Sequence, residues 1–172
     1  NIESSNWDNV DASFTRITNY AYFSANEEGL TRPFQETGEI SYFKVKASKE
    51  FQYGKFALNN TVMYQQVLNG DAVLNIPDLT TRNSIYYKDY WFKRALYVQT
   101  GLTLKYFTSY QMDGYDPVLA EFYVQNEQEF GGFPVVDLFF NEKVKQTRIF
   151  FKLEHLNSLI DGNNNCAAPE HP

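Results

Sequence analysis

The chain of 172 residues carries 15 basic and 21 acidic side chains, for a formal net charge of −6, and its mean hydropathy is −0.48. An acidic balance argues against nucleic acid as a partner, because such a site needs clustered cations to displace counterions from phosphates. No stretch approaches the roughly 20 apolar residues of a spanning helix, so transmembrane helices are excluded. The single cysteine, Cys166, excludes an internal disulfide.

Aromatic residues make up 17% of the chain although its average is polar. Strands that are apolar on one face only produce this combination, because successive side chains of a strand point to opposite faces. A membrane β-barrel and a soluble β-sandwich share this composition. The order of residues along the chain must therefore separate the two classes.

Period-two alternation of apolar and polar residues marks about eight strands. Five segments with weaker alternation are, in chain order, 14–23, 40–49, 56–68, 84–92 and 121–125. Turn-forming residues such as Gly54, Gly70 and the pair Gly131-Gly132 separate the strands. Strands joined by such turns form antiparallel hairpins.

The strongest alternation covers 95–108, 135–144 and the segment that begins at Thr147. Charged residues recur on one face of these strands, which a buried soluble core would not accept. We therefore expect one face to line a barrel lumen and the other to face lipid. The expected lumen-facing residues are Lys105, Asp137, Asn141, Lys143, Arg148, Lys152 and Glu154. The expected lipid-facing residues are Leu96, Val98, Leu102, Leu104, Leu138, Phe140, Ile149, Phe151 and Leu153.

Loop lengths predict which side of a membrane each connection occupies, because barrels have short periplasmic turns and long external loops. The tight connection at 143–145 is expected on the periplasmic side, with 126–133 outside, 110–117 periplasmic and 158–172 an external loop. Aromatic residues near strand ends are expected to form interfacial girdles, the alternative being ordinary sheet aromatics. They are Tyr20, Tyr22, Phe23, Tyr86, Tyr87, Tyr90, Trp91, Tyr106, Phe107 and Tyr110.

The segment 82–93, with the sequence RNSIYYKDYWFK, resembles a motif of the Bacteroidetes putative porins. Further matching segments follow in the order of that family: 106–110, 115–117, 121–126, 134–139 and 143–155. The resemblance is strongest over 82–172, and the first eighty residues resemble the family only in style. It implies an all-β fold, an antiparallel transmembrane β-barrel in the Gram-negative cell outer membrane.

In that family a Gly- and Asn-rich loop leads to a closing apolar strand, and this sequence shows the loop at 162–172 without the strand. We therefore expect residues 1–172 to form a single domain that is the C-terminal part of a larger barrel. The expected structure is a partial barrel with the closing strand absent.

No nucleophile elbow, phosphate-binding loop, zinc-type cluster or calcium loop is present. His155 follows Glu154 on a predicted strand, where neighbours point to opposite faces and cannot act as an acid/base pair. The sequence thus predicts no enzyme, no cofactor and no metal site. The expected partners are outer-membrane lipid and, as a second possibility, other envelope subunits, with no nucleic acid and an oligomeric state left open.

Three functions remain open from sequence alone. The first is a passive diffusion channel for small solutes or ions, motivated by the charged face and the family resemblance. The second is a plugged or structural barrel that is a subunit of a larger envelope complex. The third is a soluble β-sandwich that binds carbohydrate through exposed aromatics such as Tyr86, Tyr90 and Trp91.

Overall fold

The computed structural model describes residues 9–26, 29–70 and 72–156, and within these ranges the chain is entirely β-strand and loop. No helix in these ranges is long and apolar enough to cross a membrane. The expected external loop at 158–172 and Cys166 lie outside the described residues. The strands are β1 (Asn9–Ala25), β2 (Thr31–Tyr53), β3 (Phe56–Asn69), β4 (Leu79–Trp91), β5 (Leu96–Phe107), β6 (Tyr110–Gln111), β7 (Gly114–Asp116), β8 (Glu121–Tyr123), β9 (Glu129–Phe130), β10 (Pro134–Val144) and β11 (Thr147–Leu153).

Seven strands form one antiparallel sheet in the order β1-β2-β3-β4-β5-β10-β11. Almost every strand pairs with the next one along the chain, which is the arrangement expected for hairpins joined in series. Strands β1 and β11 are the edges of this sheet and do not pair with each other. The all-β antiparallel fold is confirmed, and the open sheet is consistent with a partial barrel.

The strands β1 and β2 are the longest of the sheet, with 17 and 23 residues. Their pairing shifts between Thr18 and Tyr20, where Asn19 adopts a φ of 57°. Such a bulge adds one residue to one strand and increases the local twist. The first hairpin therefore extends the sheet past the bulge at one of its ends.

The two ends of the sheet carry connections of different length. At one end, the short-turn end, β2–β3, β4–β5 and β10–β11 are joined by residues 54–55, 92–95 and 145–146. At the other, the long-loop end, the connections are 26–30, 70–78 and 108–133. The expectation that 110–117 and 126–133 lie on opposite sides of the membrane, and therefore at opposite ends of the sheet, is wrong. Because β5 and β10 are adjacent and antiparallel, all of 108–133 begins and ends at the long-loop end.

Residues 121–125 were expected to form a strand of the barrel wall. The structure limits this strand to Glu121–Tyr123, which pairs with Gly114–Asp116 in a separate two-stranded sheet. A second small sheet joins β6 to β9. The long connection thus has its own β-structure. It is fixed to the main sheet by hydrogen bonds from the Val124 amide to the Phe23 carbonyl (2.7 Å) and from the Gly132 amide to the Phe107 carbonyl (2.8 Å).

The main sheet has one apolar and one polar face. Ile85, Leu102, Leu138 and Leu153 oppose one another in register across four strands, with Ile85 and Leu102 exposed by 54% and 44%. One residue along, Ser84, Thr103 and Asp137 form the matching row of the other face, and the Ser84 and Thr103 hydroxyls are 2.9 Å apart. We call these the apolar face and the polar face. Alternation along every strand keeps the two separate.

Gly101 lies on the polar face between two aromatic residues. It opposes Tyr86 on β4 and Phe139 on β10, and the two rings approach each other with centroids 6.4 Å apart. A Cβ at this position would lie 2.2 Å from the Ile85 carbonyl oxygen and 2.5 Å from the Tyr86 Cβ. The absence of a side chain is therefore what permits this packing.

We expect Gly101→Ala to lower the free energy of unfolding by about 1 to 3 kcal/mol, because the added methyl overpacks a rigid strand pair. Denaturant titration of the native protein in lipid vesicles measures this change. Thr100→Ala, at the neighbouring position of the opposite face, is the control and is expected to cost less. Equal stability of Gly101→Ala and the native protein would contradict the close packing.

Candidate functional site

Asp137 on β10 is the most buried charged group described, with no exposed surface. Its Oδ2 lies 2.6 Å from Lys105 Nζ on β5 and 3.1 Å from Lys152 Nζ on β11. The His155 amide donates to its Oδ1 at 3.3 Å. Lys152 also pairs with Glu154. The polar face therefore carries an ion-pair network that ties three adjacent strands together.

The other expected lumen-facing residues lie on this same polar face. Asn141 donates to the Gln99 side chain at 3.3 Å, and Lys143 opposes Arg148 near the short-turn end. Glu154 follows the last residue of β11 and reaches the face through Lys152. The structure thus brings four of the seven residues into one network and places Asn141, Lys143 and Arg148 on the same face toward the short turns.

All nine expected lipid-facing residues lie on the apolar face, as their register partners show. They are Leu96, Val98, Leu102, Leu104, Leu138, Phe140, Ile149, Phe151 and Leu153. Most of them are largely exposed, for example Phe151 and Ile149. Leu96 and Leu138 are half-buried, and Val98 is buried at 4% exposure and is opposed in register by Asp89 and Glu142.

Cations outnumber carboxylates on the polar face between the β1–β2 bulge and the short turns. The cations are Lys44, Lys46, Arg82, Lys88, Lys105, Lys143, Arg148 and Lys152, and the carboxylates are Asp11, Glu50, Asp137 and Glu154. Arg82, Lys143 and Arg148 form no ion pair with any residue of the described ranges. A chain that is acidic overall therefore presents a basic surface on this one face.

A polar cavity of about 340 Å³ opens on the same face. Hydroxyl and amide side chains dominate its lining, together with two cations. The lining residues are Asn59, Arg82, Ser84, Tyr86, Gln99, Thr103, Phe139, Asn141, Phe150 and Lys152. Groups of this kind exchange hydrogen bonds with water and with hydrophilic solutes. Across residues 9–26, 29–70 and 72–156 there is no cluster of His, Cys, Asp and Glu suited to a metal ion.

Comparison with known protein families matches residues 1–172 to the family described as putative porin. The chain belongs to this putative porin family. The match covers the first eighty residues as well, which sequence reading had related to the family only in style. Membership implies an outer-membrane location. No curated protein and no solved structure matches the chain.

This porin-family chain contains a second polar network, which sequence analysis did not find. The Glu50 carboxylate accepts a hydrogen bond from the Tyr86 hydroxyl at 2.8 Å and lies 3.5 Å from Lys88 Nζ. Lys88 also donates to the Gln52 side chain at 3.1 Å. The signal was present, since every second residue from Lys44 to Gln52 is polar. Lys49 obscured it, because this lysine lies on the apolar face with Nζ 5.1 Å from the centroid of the Phe51 ring.

Only half of the aromatic residues expected in a girdle at the short-turn end of this porin-family chain lie on the apolar face. Tyr87 and Trp91 lie on the apolar face, where Tyr87 contacts Phe56 edge-to-face at 5.4 Å. Tyr86 and Tyr90 lie on the polar face instead, and Tyr90 packs against Tyr97 at 5.0 Å. Adjacent strand residues point to opposite faces, so a run of neighbouring tyrosines cannot all belong to one girdle.

The long connection of this porin-family chain contains a carboxyl group whose environment disfavours its charge. Burial raises the pKa of Asp113, although a hydrogen bond from the Asn75 side chain at 3.5 Å opposes the shift. Because its pKa is higher in the folded than in the unfolded state, protonation of Asp113 favours the folded connection. This stabilisation is complete below the unfolded-state pKa and is lost as the pH rises through the folded-state pKa.

We therefore expect the connection 108–133 to be better protected from backbone hydrogen exchange at pH 4 than at pH 7, after correction for the intrinsic exchange rate. Asp113→Asn is expected to remove this pH dependence, because an amide carries no charge to desolvate. Exposed Glu121→Gln is the control and leaves the difference unchanged. Protection that increases with pH in the native protein would contradict the assigned sign.

Proposed function

We propose that this chain forms part of the wall of an outer-membrane diffusion channel for small hydrophilic solutes or ions. In this proposal the apolar face contacts lipid and the polar face lines the pore. The observation that carries it is the separation of the two faces of the main sheet, with only a few charged residues such as Lys49, Asp89 and Glu142 on the apolar face. A soluble sandwich would instead bury one face of each sheet against another.

The arrangement of connections supports one orientation of the wall. Outer-membrane barrels have short periplasmic turns and longer external loops. On this basis the short-turn end is periplasmic and the long-loop end is external. The aromatic contact of Tyr87 with Phe56 then lies near the periplasmic membrane interface, where amphipathic rings are favourable.

We further propose that the chain is one domain of a larger barrel. The open edges of β1 and β11 carry backbone groups that must be paired within lipid, because each unpaired group there costs several kcal/mol. Additional strands, from this polypeptide or another, would satisfy them. We also infer a non-enzymatic role with lipid as the main partner, which family membership supports.

Single-channel recording of the native protein in a planar lipid bilayer tests the proposal. We expect steady conductance, and we expect the reversal potential in a salt gradient to shift toward cation selectivity when Arg148→Gln and Lys152→Gln are combined. The reason is that the pore loses two of the cations on its surface. A folded and closed barrel that conducts no current would overturn the proposed function.

Lys55→Gln provides a matched control for the selectivity measurement. This lysine also lies at the short-turn end, but it pairs at 2.5 Å with Asp89, whose backbone position belongs to the apolar face. Its removal changes the total charge by the same amount per residue without changing the pore surface. We therefore expect the native reversal potential. An equal shift in this variant would show that selectivity does not arise from the polar face.

A second candidate function is a plugged or structural barrel within a larger envelope complex. One observation favours it: residues Tyr110, Met112 and Phe130 of the long connection line a cavity together with Arg82 and Lys105 of the polar face. The connection therefore folds over part of this face. A silent barrel that co-purifies with partner chains would support this second function.

A further inference from the structure

A mainly apolar cavity of about 470 Å³ lies on the polar face at the long-loop end. The strands contribute Arg82, Lys105 and Val135 to its lining, and the connection 108–133 contributes Tyr110, Met112 and Phe130. Cavities that bind small molecules have volumes of roughly 300 to 1,000 Å³ and are mainly apolar with a few polar groups. This cavity has both properties.

The apolar wall is built from aromatic rings that support one another. Phe107 contacts Tyr110 and Phe133 edge-to-face, with both centroid distances equal to 6.0 Å. All three residues line the cavity. A ligand in contact with this wall needs a flat or branched apolar body, because ring faces and edges offer dispersion contacts and no hydrogen bonds.

Two cations line the cavity, and only one of them is available to a ligand. Lys105 is held by Asp137 at 2.6 Å. Arg82 is exposed and forms no ion pair with any residue in the part of the chain that the structure describes. Arg82 also lines the neighbouring polar cavity. Arg82 therefore lies at the boundary between the apolar cavity and the hydrophilic part of the same face.

We propose that this cavity binds small organic carboxylates that carry an aromatic or branched apolar group. The Arg82 guanidinium receives the carboxylate, since a planar guanidinium donates two parallel hydrogen bonds to such an anion. The apolar group contacts the wall at Phe107. The charged end of the ligand thus contacts Arg82, and its apolar end contacts the aromatic wall.

The proposal is tested by calorimetric titration of the native protein in lipid nanodiscs with sodium 4-phenylbutyrate, with empty nanodiscs as the baseline. We expect saturable binding. Butyrate lacks the ring and 4-phenylbutyramide lacks the charge, and we expect each to bind at least tenfold more weakly. No saturable binding above the baseline, or equal affinity for the acid and the amide, would overturn the proposal.

Substitutions at the cation give the second arm of the test. Arg82→Gln is expected to weaken phenylbutyrate binding at least tenfold, and Arg82→Lys, which retains the charge without the planar fork, to weaken it less. Arg32→Gln is the matched control, because this exposed arginine on β2 lies outside the cavity lining, and native affinity is expected. Native affinity of Arg82→Gln would contradict the assignment of the carboxylate to Arg82.

This binding goes beyond the proposed function and does not depend on conduction. A silent barrel that binds phenylbutyrate through Arg82 would overturn the diffusion channel and support the binding site. A conducting barrel without such binding would overturn the site and support the channel. The two measurements therefore separate the two proposals.

Discussion

Leu102→Arg is expected to lower the free energy of unfolding by roughly 2 to 4 kcal/mol, the cost of an arginine at the lipid-facing midplane of a barrel. Leu102 lies in the middle of β5, in register with Ile85 and Leu138, and is 44% exposed on the apolar face. A guanidinium there must leave water for hydrocarbon or bend toward the interface. Denaturant titration in lipid vesicles, followed by tryptophan fluorescence, measures the loss.

Gln99→Arg on the same strand is the matched control. Gln99 lies on the polar face, where it accepts a hydrogen bond from Asn141 at 3.3 Å. The added arginine remains in a hydrophilic environment, so we expect a change of under about 1 kcal/mol. A large cost at Gln99 with tolerance at Leu102 would show that the two faces are assigned the wrong way round.

Asp137→Asn is expected to cost about 2 to 3 kcal/mol, because it leaves two lysines facing each other without their shared carboxylate. Removing one partner of a fully buried pair costs more, but the Lys105 and Lys152 side chains are 36% and 30% exposed and can turn toward solvent. The same titration measures the effect. The loss of stability is expected to be larger in a low-salt buffer, where repulsion between the lysines is less screened.

Glu154→Gln controls for the loss of a carboxylate beside Lys152. Glu154 is mostly exposed and contacts only one of the two lysines, so its removal is expected to change stability by at most about 1 kcal/mol. If the two substitutions were equally costly, burial of Asp137 would not be the source of its effect.

The sequence predicted the two faces of the sheet well where local alternation was complete. On β5, β10 and β11 the backbone alone decides which side each residue faces, so the sequence assigned Lys105 and Leu104 to opposite faces of the sheet without any knowledge of their neighbours, as the structure does. The Asp137 network was not predicted as a network. It depends on the register between β5, β10 and β11, and register is a property of paired strands that a single strand does not encode.

Other features depended on tertiary contacts or on unusual backbone. The turn at 92–95 contains neither Gly nor Pro, yet Phe92, Lys93 and Arg94 all adopt positive φ between 51° and 71°. Sequence preferences for glycine in such conformations therefore gave no signal there. The segment 121–125 alternates like a wall strand, but hydrogen bonds to β7 hold its first three residues in the loop sheet.

The alternation of faces also limits how the length of such a chain can vary during evolution. A single residue inserted into β10 would shift all later positions by one, placing Asp137 or its neighbours on the wrong face. The short turns contain too few residues to compensate for the shift. Residues 108–133, which begin and end at the same end of the sheet, can accept insertions without changing any strand. We therefore expect length differences between related chains to concentrate in that connection, leaving the spacing within β4, β5 and β10 constant.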